Sequence, residues 1–110
     1  MGVQVILSSP GPLPVQATFN APGDSPMYIE VSGSIWTQSE NQMIAFDVLL
    51  DGQKVGTAQV FSNGSSTHRT VVPAYVAVKL TQGQHTISLS PANSWTVSDL
   101  NDSFVAVIHY

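Results

Sequence analysis

The chain is divided into short runs in which apolar and polar residues alternate, each run closed by Gly, Pro, Asn or Asp. Met27, Ile29 and Val31 alternate with Tyr28, Glu30 and Ser32. Ile44, Phe46, Val48 and Leu50 alternate with Ala45, Asp47 and Leu49. Val76, Val78 and Leu80 alternate with Ala77 and Lys79, and Ile87 and Leu89 with Thr86, Ser88 and Ser90. A period of two puts one set of side chains on each face of a strand. No stretch carries an i, i+3, i+4 stripe long enough for three helical turns. Strands are expected near 3–7, 15–20, 27–36, 43–51, 54–61, 67–73, 75–81, 84–90 and 103–110. Turns are expected at Pro10–Pro14, Pro22–Pro26, Asp51-Gly52, Asn63–Ser66 and Gln82–Gln84, with Asp51-Gly52 the dipeptide of a type I′ hairpin. Without an internal repeat, so many short strands form a sandwich or a closed barrel. The expectation is all-β, an antiparallel β-sandwich.

At 110 residues the chain is one domain, 1–110, with residues 1–14 forming an N-terminal strand and a Pro-rich connection. There is no cysteine, so disulfide, thiol and Cys-zinc chemistry are excluded. Three Lys and Arg stand against seven Asp and Glu. That leaves no basic stripe for a phosphate backbone, and nucleic acid is not expected as a partner. No apolar run approaches the ~20 residues of a membrane-spanning helix, and membrane insertion is not expected. No Lys or Arg precedes the apolar run Val3, Val5, Ile6, Leu7, as a secretory leader would require. Only 9% of residues are charged, and Ser, Thr, Gln and Asn abound, a composition suited to a secreted or cell-surface β-protein.

Catalytic motifs are absent: there is no Gly-x-Ser-x-Gly, no phosphate-binding loop and no His-Glu-x-x-His. The expectation is a protein that is not an enzyme. The segment Asn93–Asp102 is the richest in binding chemistry. Asp99, Asn101 and Asp102 offer the hard oxygen ligands that calcium takes. An Asx-rich turn is the alternative reading of the same residues. Trp95, beside Asn93, Asp99 and Asn101, has the composition of a sugar site: an aromatic face for the C–H side of the ring and polar groups for its hydroxyls. Trp95 as a plug over one end of the sandwich is the alternative. Trp36 either rims a site or closes the core. His68, His85 and His109 lie on separate strands.

The last run, Phe104–Ile108, is apolar on both faces, as in a strand that is central or covered by another subunit. Tyr28, Leu49, Ala77 and Tyr110 add apolar groups to outward positions, and an oligomer interface is expected there.

The order of motifs resembles the tumour-necrosis-factor-like jelly rolls, which include the complement-type globular heads. The resemblance rests on the early strand Met27–Trp36, the hairpin Phe46–Gly56 with Asp51-Gly52, the turn in Val78–Leu89, and the closing strand Asp102–Tyr110. Gln84 stands where that family carries an acid, and Ala106 where it carries Gly. The resemblance implies a jelly roll and a homotrimer with the last strand near the three-fold axis. A second resemblance, to small bacterial galactose-binding lectins, rests on Phe19–Asp24 and Val31–Trp36. It implies a calcium loop, for which Thr96, Asp99, Asn101 and Asp102 precede Ser103-Phe104. The functional expectation is a lectin-like, carbohydrate- or ligand-binding homotrimer whose partner is a glycan or a protein surface. The alternative is a structural trimerisation domain of a surface, fibre or phage protein.

Overall fold

The computed structural model describes residues 2–110; Met1 lies outside them. Nine strands follow in order: β1 (Val3–Pro10), β2 (Val15–Ala21), β3 (Ser25–Ile35), β4 (Gln42–Leu50), β5 (Gln53–Ser62), β6 (Arg69–Thr70), β7 (Ala74–Leu80), β8 (Gly83–Pro91) and β9 (Ser103–His109). The alternating runs are the strands, and their apolar members point inward. Met27, Ile29 and Val31 are buried, as are Ile44, Phe46 and Val48, and Ile87 and Leu89.

All pairings are antiparallel. One sheet runs β1-β9-β3, with β7 and the short β6 both on the far side of β3; the other runs β2-β8-β4-β5. Successive strands β1 to β4 alternate between the two sheets, which is the wrapping of a jelly roll. The inner faces meet in one core, where Phe46 and Phe104 pack edge to face with centroids 5.4 Å apart. Gly33 lies directly beneath the Phe104 ring, where a Cβ would collide with it.

The turn chemistry follows the residues. Asp51 and Gly52 both have positive φ (51° and 83°), as a type I′ hairpin demands. Two expectations change. The strand placed at 67–73 shrinks to Arg69–Thr70, because Val71 buries itself at 1% exposure while its N–H turns to the Gly33 carbonyl. β1 extends to Pro10 through a bulge between Val5 and Leu7, which returns Leu7 to the core side.

β9 is a central strand between β1 and β3. Phe104, Ala106 and Ile108 face the core, while Val105, Val107 and His109 are half-buried on the outer face. There they continue cross-strand rows of Val3, His109, Tyr28 and Ala77, and of Val5, Val107, Glu30 and Tyr75. Leu49 belongs to the other sheet and does not share this face.

Candidate functional site

The loop between β8 and β9 spreads over one end of the sandwich and is pinned at both ends. Its first half clips the start of β4. Trp95 Nε1–H and Asn93 Nδ2–H both donate to the Met43 carbonyl, at 2.9 and 3.3 Å. Thr96 Oγ1 donates to Asn93 Oδ1 at 2.6 Å and accepts from the Ala45 N–H at 3.1 Å. Both functional groups of Asn93 are therefore spent on holding the loop, and Asn93 positions Trp95. Trp95 itself is 45% exposed. It lines a groove of about 310 Å³ with Thr37, Gln38, Ser39, Ser94 and Val97. The opposite wall is brought in by a main-chain bridge between Trp36 and Val97, at 2.8 and 2.9 Å. Thr37 is fully buried and accepts at its carbonyl from the Ser66 N–H, which fixes the polar segment that follows.

The second half of the loop is organised around Asp102, whose side chain is wholly buried. Ser34 Oγ–H donates to its Oδ1 at 2.7 Å, and the Asp99 N–H to its Oδ2 at 2.9 Å. His68 Nδ1 lies 2.6 Å from Oδ1. The bond to Asp102 raises the His68 pKa above its ordinary 6.5, with smaller contributions from the charges of Asp102 and Asp99. Gly11 N–H donates to the Asp102 carbonyl at 2.8 Å, and Leu13 N–H to Ser98 Oγ at 2.8 Å. These bonds tie the Pro-rich connection, whose Gly11-Pro12 and Leu13-Pro14 bonds are cis, to the same knot. The Trp36 ring rests 5.9 Å from the His68 ring, so Trp36 is a half-buried side chain between groove and knot.

Of the sugar-site residues read from the sequence, Trp95 and Asn93 meet at Met43, whereas Asp99 and Asn101 do not line the groove. Asp99 Oδ1 accepts from the Asn101 N–H at 2.8 Å, an Asx turn. Of the calcium trio, Asp99 and Asp102 come together, and the third member of the metal-capable cluster is His68. The oxygens of Asp102 already serve three internal contacts. The sequence reading missed Gln38, Ser39 and His68. The two groove residues stand some sixty positions from Trp95 in the chain, and the Trp36–Val97 bridge brings the two segments together.

The other histidines are differently employed. His85 contacts Asp51 Oδ2 through Nδ1 (2.6 Å) and the Thr81 carbonyl through Nε2 (2.7 Å), clamping the β4–β5 hairpin onto β8. The Asp51 bond raises the His85 pKa, and the same bond lowers that of Asp51. His109 reaches Glu30 Oε1 at 3.1 Å on the outer face of the five-stranded sheet. With Pro26, Tyr28, Tyr75 and Tyr110 it lines a larger, mostly apolar hollow of about 510 Å³.

No family model matches the chain, and no curated protein matches it. Solved structures do. The sugar-binding C-terminal domain of EclA is 12% identical, with 99% of this chain and 79% of that one covered and a TM-score of 0.53. A family 35 carbohydrate-binding module from Clostridium thermocellum is 12% identical over 96% of this chain and 90% of that one, with a TM-score of 0.49. A family 36 carbohydrate-binding module in complex with calcium and xylotriose is 14% identical over 99% and 98%, with a TM-score of 0.47. At such identities the likeness is one of fold: the chain is an antiparallel β-sandwich of the jelly-roll kind.

Proposed function

We propose that this protein is a non-catalytic carbohydrate-binding module that acts as a homotrimer. The observation that carries the reading is Trp95: a large aromatic side chain left 45% exposed although its N–H is anchored, beside a groove of amide and hydroxyl groups. An anchored indole loses little further freedom when a sugar ring stacks on it. Gln38, Ser39 and Ser94 supply donors and acceptors for sugar hydroxyls. The sugar-binding description of the EclA domain agrees with this reading. Asp99 and Asn101, one loop turn away, extend the surface for a longer glycan.

The homotrimer rests on the outer face of the five-stranded sheet. Val3, Val5, Tyr28 and Tyr75 are each more than half exposed there, next to Val107 and Tyr110. A single shallow groove binds at about 1 mM, or about 4 kcal/mol. Three grooves on one particle raise the avidity on a glycan-bearing surface through effective concentration. Such a surface is outside the cell or on its envelope. Calcium at Asp99, Asn101 and Asp102 would have to draw on the Asp99 carboxylate, main-chain carbonyls and water, because the Asp102 oxygens face inward.

Glycan-array binding of the wild type and of Trp95→Ala tests the proposal. The wild type is expected to bind a subset of glycans, and the folded variant to lose them. A folded Trp95→Ala that binds as the wild type does removes the groove from consideration. A wild-type trimer that binds no glycan favours the assembly-only alternative.

A further inference from the structure

Two ligand-type atoms in the knot around Asp102 are held in place facing one another, and neither makes a hydrogen bond among the described residues. In the neutral imidazole the Asp102 contact at 2.6 Å puts the proton of His68 on Nδ1 and leaves the lone pair on Nε2, so a metal binding there displaces the proton that Nε2 carries in the imidazolium. The Asx turn holds Asp99 Oδ1 on the Asn101 N–H and directs Oδ2 toward the ring. Nε2 and Oδ2 stand 3.8 Å apart, and neither has a hydrogen bond among the described residues. That separation is too long for a hydrogen bond. It is close to the roughly 3.4 Å between a nitrogen and an oxygen ligand on one tetrahedral zinc ion. Both side chains are about 40% exposed, so water has access to the remaining positions.

A histidine whose far nitrogen is held by a buried carboxylate is the outer-shell arrangement of transition-metal sites. Here that carboxylate is itself fixed, by the Ser34 hydroxyl and the Asp99 N–H. A calcium site takes six to eight oxygens, whereas the free donors here are one imidazole nitrogen and one carboxylate oxygen. We propose that His68 Nε2 and Asp99 Oδ2 bind a transition-metal dication of the Zn²⁺ or Cu²⁺ type, with Asp102 orienting the imidazole and water completing the shell. Neither ligand lines the groove at Trp95.

The neighbouring Trp36 ring provides the readout, because bound Cu²⁺ quenches an indole at this distance. The chain has two tryptophans, so Trp95→Phe leaves Trp36 as the sole reporter. Titration of that variant with Cu²⁺ alone should quench it saturably at micromolar metal, with reversal by excess Zn²⁺ or by chelator. Adding His68→Asn or Asp99→Asn should weaken the affinity at least tenfold; His68→Asn takes a partner from the buried Asp102, so circular dichroism checks that it is folded, and Asp99→Asn, which keeps the Asx-turn oxygen, carries the test if it is not. His85→Asn and His109→Asn should leave it unchanged. Ser34→Ala, which loosens Asp102 without touching a ligand, should weaken it by a smaller factor. Quenching that survives His68→Asn, absence of quenching up to 1 mM Cu²⁺, or reversal by Ca²⁺ as effective as by Zn²⁺ would each overturn the proposal.

Discussion

Replacing Asp102 should damage the fold more than replacing any other charged residue. Its side chain has no exposure, yet it receives the Ser34 hydroxyl, the Asp99 N–H and the His68 ring. Each hydrogen bond to a charged group contributes about 1.5–3 kcal/mol. The three share one carboxylate and are not additive. Asp102→Ala also deprives the part-buried Ser34 hydroxyl and Asp99 N–H of their acceptor. The loss expected from breaking such a buried arrangement is about 3–5 kcal/mol. For 110 residues the unfolding entropy is about 0.23 kcal/mol/K, so the midpoint should fall by roughly 13–22 °C. Asp102→Asn keeps the shape and one acceptor oxygen but turns an amide N–H toward a donor, and should lose about 2 kcal/mol. Ser34→Ala leaves the carboxylate two partners and should lose about 1 kcal/mol. Thermal and urea unfolding followed by circular dichroism measure all three. If Asp102→Ala lies within 1 kcal/mol of wild type, the knot does not hold the β8–β9 loop as described.

The clamp between His85 and Asp51 should make stability depend on pH. The raised His85 pKa gives a contribution fully present below 6.5 and lost as pH rises through the folded value; the lowered Asp51 pKa gives one present above 3.8 and lost as pH falls through its folded value. The stability gap between wild type and His85→Gln should thus be wider at pH 5 than at pH 8.5, and equal gaps would refute the linkage. Gly33→Ala should lose about 1–3 kcal/mol in urea unfolding, because the new Cβ runs into the Phe104 ring and through it the contact with Phe46; a loss under 0.5 kcal/mol, on the order of a neutral surface change, would contradict it. Val107→Asp should turn a trimer into monomers in sedimentation velocity, since it puts an unpaired charge on the outer face of β9, and a wild type already monomeric at micromolar concentration would remove the trimer.

The alternating runs made the strands legible because a jelly roll wets one face of each sheet: Met27, Ile29 and Val31 reveal their side by spacing alone. The Asp51-Gly52 turn was legible for a local reason, the positive φ of both residues. The strand ends were less so. Val71 and Val72 have strand-like side chains, but their N–H groups go to Gly33 and Gln59. The two-faced apolar pattern of β9 has a local cause in its central position and a remaining one in the outer row of Val105 and Val107. At the site, composition drew attention to the loop carrying Trp95 and Asp102. It did not show that Asn93 serves the backbone, or that Gln38 and Ser39 face Trp95. His68 and Asp102 are 34 positions apart. Nothing in the pattern of either segment announces a contact that arises only when β6 joins the end of β3.

The most direct test is the amide and indole spectrum of the ¹⁵N-labelled protein titrated with a glycan selected on the array. The Trp95 indole N–H and the amides of Gln38, Ser39 and Ser94 should shift together and saturably, with the Trp36 indole moving less. Shifts confined to the outer face around Tyr28, Tyr75 and Tyr110, with the Trp95 indole unmoved, would contradict a sugar site at the end of the sandwich.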